Sequence, residues 1–594
     1  MARGDNLTDL LKAVADSIRS KTGTAEPINP QDFPERIQAI QSAGQDADGR
    51  HRVIFLDIDG TVLKEQYVEN GGAATAPQDP SREMCEFTGW MDTYDNITAD
   101  TEIYAGYKSA DGKTRYKVNC PAGETLRLQL MCMSNFPVTI DWGDGVTDIC
   151  SVKGRNDLCT HTYAEAFSGW VSIYSAGGYK LATLEYSGSA YVEELIIGDN
   201  IATIGSVARC MTNCRAIVIP GTVKATEGQP FYKCIKLKLL ALPDSITALR
   251  VNESQVLPFL EHLRLPKNIK TVNPGVAASL YKIDRVVIPD GVTEIGQNSF
   301  SNDTSLEEVN LPDGVLTIKS TAFYNCRRLK RIVLPSSIRS ILYSAFNGCA
   351  SLEEIIIPSG VTSIEEGVFS GCMSLRSVNI PDGVVNIKKD AFRNCISLRS
   401  ILIPDSATVI GITAFSGCNN CRFDVNFTGK TILDGAFCNC IGLTGDIVLD
   451  QADKMVLGTF QSTSITSARM AATSLDGDSA NSVLQHCRRL RRVELPAATT
   501  VGKYVMNDCA ALEAVVLGDA VATIGIFAMA NCASLRTIVV QAAIPPALAA
   551  NALYNSSAVE AIYVPDTSVE AYRTATNWTA YASLIRPLSD YVED

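Results

Sequence analysis

The side chains best suited to chemistry in this sequence are its cysteines and histidines. The 594-residue chain holds 19 cysteines and four histidines. Cys438 and Cys440 flank a single asparagine, but a zinc site needs two more ligands at suitable spacing, and Cys421 alone does not supply them. We therefore expect no metal site, no cofactor and no catalytic triad. The histidines are scattered and predicted to be structural or surface residues: His51, His161, His262 and His486.

A second candidate is the segment 52–62, RVIFLDIDGTV, in which an apolar strand is followed by Asp57 and Asp59. It resembles haloacid-dehalogenase-type phosphatases, and the resemblance implies that Asp57 would attack phosphorus while Asp59 protonates the leaving group beside Mg²⁺. That chemistry needs a large α/β domain, whereas turn residues follow at once and no alternation of helix and strand appears. We predict that both aspartates face solvent or cap turns of a hairpin. The turn residues are Gly71, Gly72, Pro77 and Pro80.

A fixed spacing of 23 residues governs many of the cysteines. The members of this series are Cys326, Cys349, Cys372, Cys395 and Cys418. Nine prolines keep the same interval: Pro220, Pro243, Pro266, Pro289, Pro312, Pro335, Pro358, Pro381 and Pro404. Such a repeat places the cysteines in one column, one per turn, where each acts as a small buried hydrophobic residue. Because pairing in twos has no reason to follow a one-per-turn rule, we predict mostly free thiols.

Each repeat reads as a strand, a turn and a return segment. In 375–395, LRSVNIPDGVVNIKKDAFRNC, the Val-x-Ile piece alternates like a short strand, and Pro381 ends it because proline has no N–H for a ladder. Asp-Gly supplies the turn, and Asn394 or its counterpart Gly371 tightens the return. The apolar face of each unit stays open until a neighbour stacks on it. The sequence therefore predicts a solenoid of about seventeen coils over residues 190–566.

The repeat pattern, L-x-x-I-x-I-P-x-x-V-x-x-I-x-x-x-A-F-x-x-C, closely resembles the leucine-rich repeats of bacterial surface adhesins. The resemblance implies a mainly β fold and binding to host or matrix proteins, with no fixed ligand and no binding residues to carry over. Residues 567–594 resemble the helical cap that closes many arrays of that family.

The front of the chain, residues 1–44, is predicted to be a helical module. Apolar residues at helical spacing are Leu7, Leu10, Leu11, Val14 and Ile18. The string LLKAVADSIRSKTGTAEPINPQDFPERIQAI resembles an N-terminal segment of tail-associated proteins of phages and prophages of gut bacteria, which implies docking to other virion tail proteins. A helical hairpin that packs on the next domain is the alternative. Residues 45–50 form a linker by composition.

Two β modules are expected before the solenoid. Residues 51–108 resemble the internalin-type B-repeat, a small β-grasp module, on Gly60, Gly71, Pro80, the FTGW at 87–90, Tyr104 and Tyr107. Residues 112–188 resemble the polycystic-kidney-disease-type β-sandwich on TIDWGDG and THTYAE. Asp144 of the first motif is expected to cap its own turn. Ca²⁺ binding is the weaker alternative, because a lone carboxylate offers too few hard ligands.

The charge balance excludes some partners. A net charge of −13 and an isoelectric point near 5.0 argue against nucleic acid. No segment has the length of a membrane span, and we find neither a signal peptide nor a wall-sorting tail.

Two basic clusters follow the column cysteines of their coils. One interpretation is a solvated edge of the solenoid, and the other is contact with an anionic glycan or polymer. They are Arg327, Arg328, Lys330 and Arg331, and Arg488, Arg489, Arg491 and Arg492.

These observations favour a non-enzymatic binding protein. A virion tail or fibre protein that binds the host cell surface, through a protein or a glycan, explains the N-terminal segment and the missing export signal. A bacterial cell-surface adhesin that binds host or matrix proteins is the alternative. A homo-oligomer is a further possibility, by analogy with tail fibres, which are often trimeric.

Overall fold

The computed structural model describes residues 49–132, 137–150, 156–175, 179–181, 190–205, 211–228, 230–249, 257–273, 280–449, 454–455, 458–475 and 482–593. The helical module expected over residues 1–44 lies outside them. The fold is mainly β, with 34% strand and 4% helix, which confirms the predicted class. The chain forms two compact units, the first ending at Gly314 and the second running from Val315 to Asp594.

A four-stranded sheet opens the described part of the first unit. Its strands are β1 (His51–Leu56), β2 (Val62–Val68), β3 (Cys85–Trp90) and β4 (Thr101–Ser109). They lie in the order β2-β1-β4-β3, with β1 parallel to β4 and the other neighbours antiparallel. Apolar side chains are buried on both faces of β1, including Val53 and Phe55 on one and Ile54 and Leu56 on the other. A sheet of this kind needs cover on both faces.

Seven further strands form two sheets. They are β5 (Thr114–Cys120), β6 (Thr125–Cys132), β7 (Val138–Asp141), β8 (Thr147–Cys150), β9 (Asn156–Thr162), β10 (Phe167–Ser175) and β11 (Tyr179–Leu181). One sheet contains the order β5-β10-β7-β8 and the other the order β11-β6-β9. Trp142 and Tyr163 are buried between them, and Tyr163 Oη donates a hydrogen bond to the Trp142 carbonyl at 2.9 Å.

The solenoid coils of the first unit each carry one longer and one shorter strand. The longer strands are β12 (Val192–Ile196), β14 (Ala216–Val218), β16 (Leu239–Ala241), β18 (His262–Arg264), β20 (Arg285–Val287) and β22 (Glu308–Asn310). The shorter are β13 (Thr203–Ile204), β15 (Ala225–Thr226), β17 (Ala248–Leu249), β19 (Thr271–Val272) and β21 (Glu294–Ile295). Successive coils pair in parallel. Strand β12 also pairs antiparallel with β5, so the preceding sheet continues into the first coils.

The second unit repeats the same plan. Its longer strands are β24 (Arg331–Val333), β26 (Glu354–Ile356), β28 (Ser377–Asn379), β30 (Ser400–Ile403), β32 (Arg422–Val425), β34 (Thr444–Leu449), β36 (Ser464–Met470), β38 (Arg492–Leu495), β40 (Ala514–Leu517), β42 (Thr537–Val540) and β44 (Ala561–Val564). The shorter are β23 (Thr317–Ile318), β25 (Ser340–Ile341), β27 (Ser363–Ile364), β29 (Asn386–Ile387), β31 (Val409–Ile410), β33 (Thr431–Ile432), β35 (Lys454–Met455), β37 (Ser474–Leu475), β39 (Thr500–Val501), β41 (Thr523–Ile524) and β43 (Ala547–Leu548).

The interior of the coils is built from the repeating apolar columns. The solenoid has about 16 turns, close to the seventeen counted from the sequence. Phenylalanine rings stack from coil to coil, for example Phe369 on Phe392 at 5.4 Å between ring centroids. The return segment needs a left-handed residue, which Gly371 (φ 73°) and Asn394 (φ 60°) supply at the same point of successive coils. The predicted tightening of the return is therefore confirmed.

The cysteine column has a hydrogen-bonding role as well as a packing role. The thiol of Cys395 donates to the Phe369 carbonyl of the preceding coil at 3.2 Å, and Cys418 donates to Phe392 in the same way. In the coil at Ser556 a hydroxyl makes the equivalent bond, to Met529 at 2.7 Å. The Phe369 and Phe392 carbonyls already accept a backbone N–H, so the thiol adds a second donor. A cysteine is small enough for the column and can donate in this way, which valine or alanine cannot do. The five cysteines of the predicted series are buried, and four of them are free thiols: Cys349, Cys372, Cys395 and Cys418.

The described chain ends in short helical segments and one strand. Helix α1 (Val569–Thr574) is flanked by 3₁₀ turns at Asp566–Ser568 and Thr579–Leu584; strand β45 (Ile585–Pro587) and a turn at Leu588–Asp590 follow. Tyr572 and Trp578 are buried and donate to the carbonyls of Ala542 and Pro546. Strand β45 pairs with β44, so this segment covers the last apolar coil.

Candidate binding surface

The aspartates of segment 52–62 lie in the turn between β1 and β2. Asp57 accepts hydrogen bonds from Tyr107 Oη at 2.7 Å and from Arg82 Nη1 at 3.2 Å, and Asp59 accepts one from the Thr61 N–H. Burial opposes the charge on Asp59, but Thr61 and Arg82 hold the pKa of that carboxyl below its usual value. Both carboxylates therefore serve the turn and a local ion pair, as predicted for residues that cap a hairpin.

The histidines are dispersed and each lies beside an acceptor. The pairs are His51 with Asn70, His161 with Asp144, His262 with Glu102 and His486 with Asp508. Asp144 also accepts the Val146 N–H at 3.1 Å, so it caps its own turn as expected. Within the described ranges, no group of three or more histidine, cysteine or acidic residues could hold a metal ion.

The first basic cluster lies at a coil edge in the second unit. Arg327 and Arg328 are exposed in the turn after Cys326, and Arg331 begins β24. Arg327 Nε donates to Asn325 Oδ1 at 2.7 Å. These side chains follow the column cysteine at the edge, as the sequence indicates.

The second basic cluster occupies the same edge position seven coil steps further on. Arg488 pairs with Asp508 at 3.0 Å, while Arg489 and Arg491 are exposed. Arg492 lies between Glu494 and Glu593. At about 4.8 Å per strand step the clusters are roughly 34 Å apart, so they do not form one patch. As binding residues they remain a prediction.

A different feature dominates the outward face of the longer strands in the second unit. Four large apolar side chains that each follow a buried isoleucine of a longer strand are exposed: Val333 (38%), Ile356 (54%), Leu402 (46%) and Val448 (42%). We call these four residues the outward ladder. They span five strand steps, roughly 24 Å. Asn379 and Asp424 stand at the same position on β28 and β32, so polar residues interrupt the ladder. Exposed large apolar side chains grouped in this way are a candidate interaction surface.

Polar side chains border the outward ladder. Asn379, which lies between Ile356 and Leu402, bonds both the N–H and the carbonyl of Ile357, at 2.7 and 3.0 Å. At the first strand position the middle of the ladder is flanked by Ser377 and Ser400, and charged residues lie beyond them at Arg331, Glu354 and Arg422. An apolar centre with a charged rim is the usual composition of a protein-binding surface.

In the first unit the matching face is covered on β14 and β16, whereas at the same position on β20 Val287 is 66% exposed. The outward side chains on β14 and β16 are Ala216, Val218, Leu239 and Ala241, and they are buried against Ile58, Tyr104, Ala105 and Tyr107 of the four-stranded sheet. This contact supplies the cover that the second face of that sheet needs. On β14 and β16, residues 51–108 therefore occupy the strand positions that are open on β24, β26 and β30.

Ion pairs link residues 51–108 to the coils at this covered face. The side chain of Arg264, only 5% exposed, lies 2.8 Å from Asp92 of the four-stranded sheet region and 3.0 Å from Asp244 of its own coil. Burial opposes the charge on Asp244, but Arg264 holds the pKa of that carboxyl below its usual value. Arg82 makes a second link, to Glu194 of β12 at 2.9 Å.

The sequence analysis missed the outward ladder, although the sequence carries a signal for it. A half-buried strand should alternate apolar and polar residues, yet the segments IVLP, IIIP and ILIP place apolar residues at three successive positions. The middle residue of each is an outward one: Val333, Ile356 and Leu402. Comparing the coils at this single position would have found the surface.

The fold and this surface define a β-solenoid of leucine-rich repeats that exposes apolar side chains on its longer strands. The model of the BspA type leucine rich repeat region matches residues 185–307, 277–395, 363–478 and 480–575. The chain belongs to this family, and the leucine-rich-repeat solenoid is typically a protein-interaction scaffold without catalytic activity. No curated protein matches the sequence.

Solved leucine-rich-repeat structures are similar to parts of the chain. A leucine-rich repeat protein from Bacteroides ovatus is 18% identical over 68% of this chain and 97% of its own, with a TM-score of 0.46. A leucine rich cell surface protein from Faecalibacterium prausnitzii is 26% identical over 50% of this chain and 83% of its own, with a TM-score of 0.34. The leucine rich repeat protein of T. pallidum is 34% identical over 27% and 78%, with a TM-score of 0.26.

Proposed function

We propose that this chain is a non-enzymatic bacterial cell-surface protein that binds a host or matrix protein through the outward ladder of its second unit. The observation that carries the proposal is the exposure of Val333, Ile356, Leu402 and Val448 at one strand position of a repeat scaffold. Family membership supports the surface-protein interpretation.

The virion interpretation has less support. It rests on residues 1–44, which lie outside the described residues, and no comparison supports a phage tail protein. Docking of that segment to other tail proteins, a glycan receptor and homo-oligomerisation remain predictions. Among the described residues no helix has the length and apolar composition to cross a membrane.

Binding by the full chain to immobilised fibronectin, laminin and fixed epithelial cells tests the proposal. The double variant Ile356→Ser/Leu402→Ser should weaken binding about tenfold or more, because loss of two central apolar contacts costs at least ~1.4 kcal/mol. Neither side chain lies in the interior, so the unfolding midpoint should change little.

The matched control is Met373→Ser/Val385→Ser. These residues are comparably exposed, at 50% and 45%, but they lie outside the longer strands. The control should bind as the unmodified chain does. Equal loss in both double variants, or no binding by the unmodified chain to any of the three probes, contradicts the proposal.

A further inference from the structure

Two cysteines outside the repeat column lie in contact at the edges of two different sheets. Cys150 ends β8, the edge strand of the sheet that contains β5, β10 and β7, and Cys159 lies in β9, the edge strand of the other sheet. Their Sγ atoms are 2.6 Å apart. We propose that Cys150 and Cys159 form a redox-active dithiol pair that is oxidised to a disulfide joining the two sheets.

The surroundings of this pair differ from those of the column thiols. Burial raises the pKa of Cys349 to about 12 and that of Cys487 to about 11, and each donates to a backbone carbonyl of the preceding coil. Such thiols react slowly, because the thiolate is the reactive form. Cys150 is only half-buried, so a small disulfide can reach its sulfur, while Cys159 is buried directly behind it.

The co-reactant is a low-molecular-weight or protein disulfide, RSSR. Cys150 reacts first, because it is the more exposed of the two cysteines. Its thiolate attacks one sulfur of RSSR, forms a mixed disulfide and releases RS⁻. The thiolate of Cys159 then attacks Cys150 Sγ and displaces the second RS⁻. Two protein thiols are oxidised, one RSSR is reduced to two RSH after protonation, and the protein gains one S–S bond.

The position of the pair gives the bond a structural effect. Edge strands are the least constrained strands of a sheet, and a covalent link between two of them restrains both sheets. Formation in the cell rests on the proposed surface location, since disulfides persist in oxidising surroundings outside the cytosol. The chemistry itself is a property of the purified chain and is tested independently of partner binding.

The test is peptide mapping of the full chain after equilibration with oxidised and reduced glutathione. The protein is quenched in acid, denatured without reductant, alkylated and digested. Of the 19 cysteines, the two that pair should be recovered as one cross-linked peptide, and the other seventeen should be alkylated. The cross-link should disappear when dithiothreitol is added before alkylation.

Two variants make the result specific. Cys159→Ser should abolish the cross-link and leave Cys150 alkylated or joined to glutathione. Cys120→Ser is the matched control, because Cys120 is a buried cysteine of β5 whose thiol donates to the Glu124 carbonyl; it should leave the cross-link unchanged. Recovery of both Cys150 and Cys159 in alkylated form, or a link from Cys150 to any other cysteine, overturns the proposal.

Discussion

On β14 and β16 of the first unit the outward side chains are buried under residues 51–108, whereas on β24, β26 and β30 of the second unit they are exposed to solvent. The interior beneath the two faces follows one repeat. The repeat therefore fixes the columns of leucine, isoleucine, phenylalanine and cysteine but leaves the outward positions free to differ. On β14 and β16 they hold a neighbouring module of the same chain, and on β24, β26 and β30 they are exposed.

The largest expected effect is the loss of a buried charge on the covered face. Arg264→Ala should destabilise the first unit by about 3–5 kcal/mol, because Asp92 and Asp244 would be left without their buried counter-charge. The matched change on the open face is Arg422→Ala, an exposed arginine at the edge of the ladder, which should cost less than about 0.5 kcal/mol. Urea unfolding of both variants measures the difference, and similar costs would show that the two faces do not differ.

Truncation of an apolar side chain should also destabilise the protein more on the covered face than on the open face. Leu239→Ala on the covered face should cost about 2–4 kcal/mol, since it removes a fully buried side chain from the contact with the four-stranded sheet. Leu402→Ala on the open face should cost under about 1 kcal/mol, because Leu402 is 46% exposed. Denaturant midpoints decide this, and a large cost for Leu402→Ala would place that residue in a packed interior.

A smaller effect is expected in the shared interior. Cys395→Ala should cost about 1 kcal/mol, because the buried Phe369 carbonyl would lose the thiol as a donor and keep only the Cys372 N–H. Cys395→Ser should cost less, since a hydroxyl already makes the equivalent bond at Ser556. Equal destabilisation by alanine and serine in thermal unfolding would show that the thiol acts by packing alone.

The smallest effect is expected on acidification. The folded-state pKa of Asp244 is below its unfolded value, so this group stabilises the fold above pH ~4 and that contribution is lost as pH falls through the folded pKa. Amide exchange near β18 should therefore rise at low pH before exchange in β28 and β30 does. Simultaneous loss of protection in both regions would argue against the Arg264–Asp244 pair as the acid-sensitive contact.

The sequence was sufficient to predict the interior of the coils but not the contacts and exposure of their surfaces. The 23-residue spacing of Cys372, Cys395 and the prolines predicted the coils, because column residues meet the same neighbours in every repeat. The contact of Arg264 with Asp92 could not be predicted, since it joins residues 172 positions apart through a module outside the repeat. The outward ladder was detectable in the segments IIIP and ILIP. It was missed because only the buried positions of the repeat were compared from coil to coil.

The most direct test of the open face is to block it without altering the interior. Ile356→Cys introduces an exposed thiol, whereas the column thiols are buried and Cys85, Cys150 and Cys438 are half-buried. A polyethylene glycol maleimide should therefore add one label at residue 356 above the labelling of the unmodified native chain. Val385→Cys is the control, with the native cysteines of the unmodified chain as the labelling baseline. The account predicts that labelling at residue 356 abolishes binding to the fibronectin, laminin or cell surface that the unlabelled chain recognises, while labelling at residue 385 preserves it. Full binding by the chain labelled at residue 356 would contradict the assignment of the outward ladder as the binding surface.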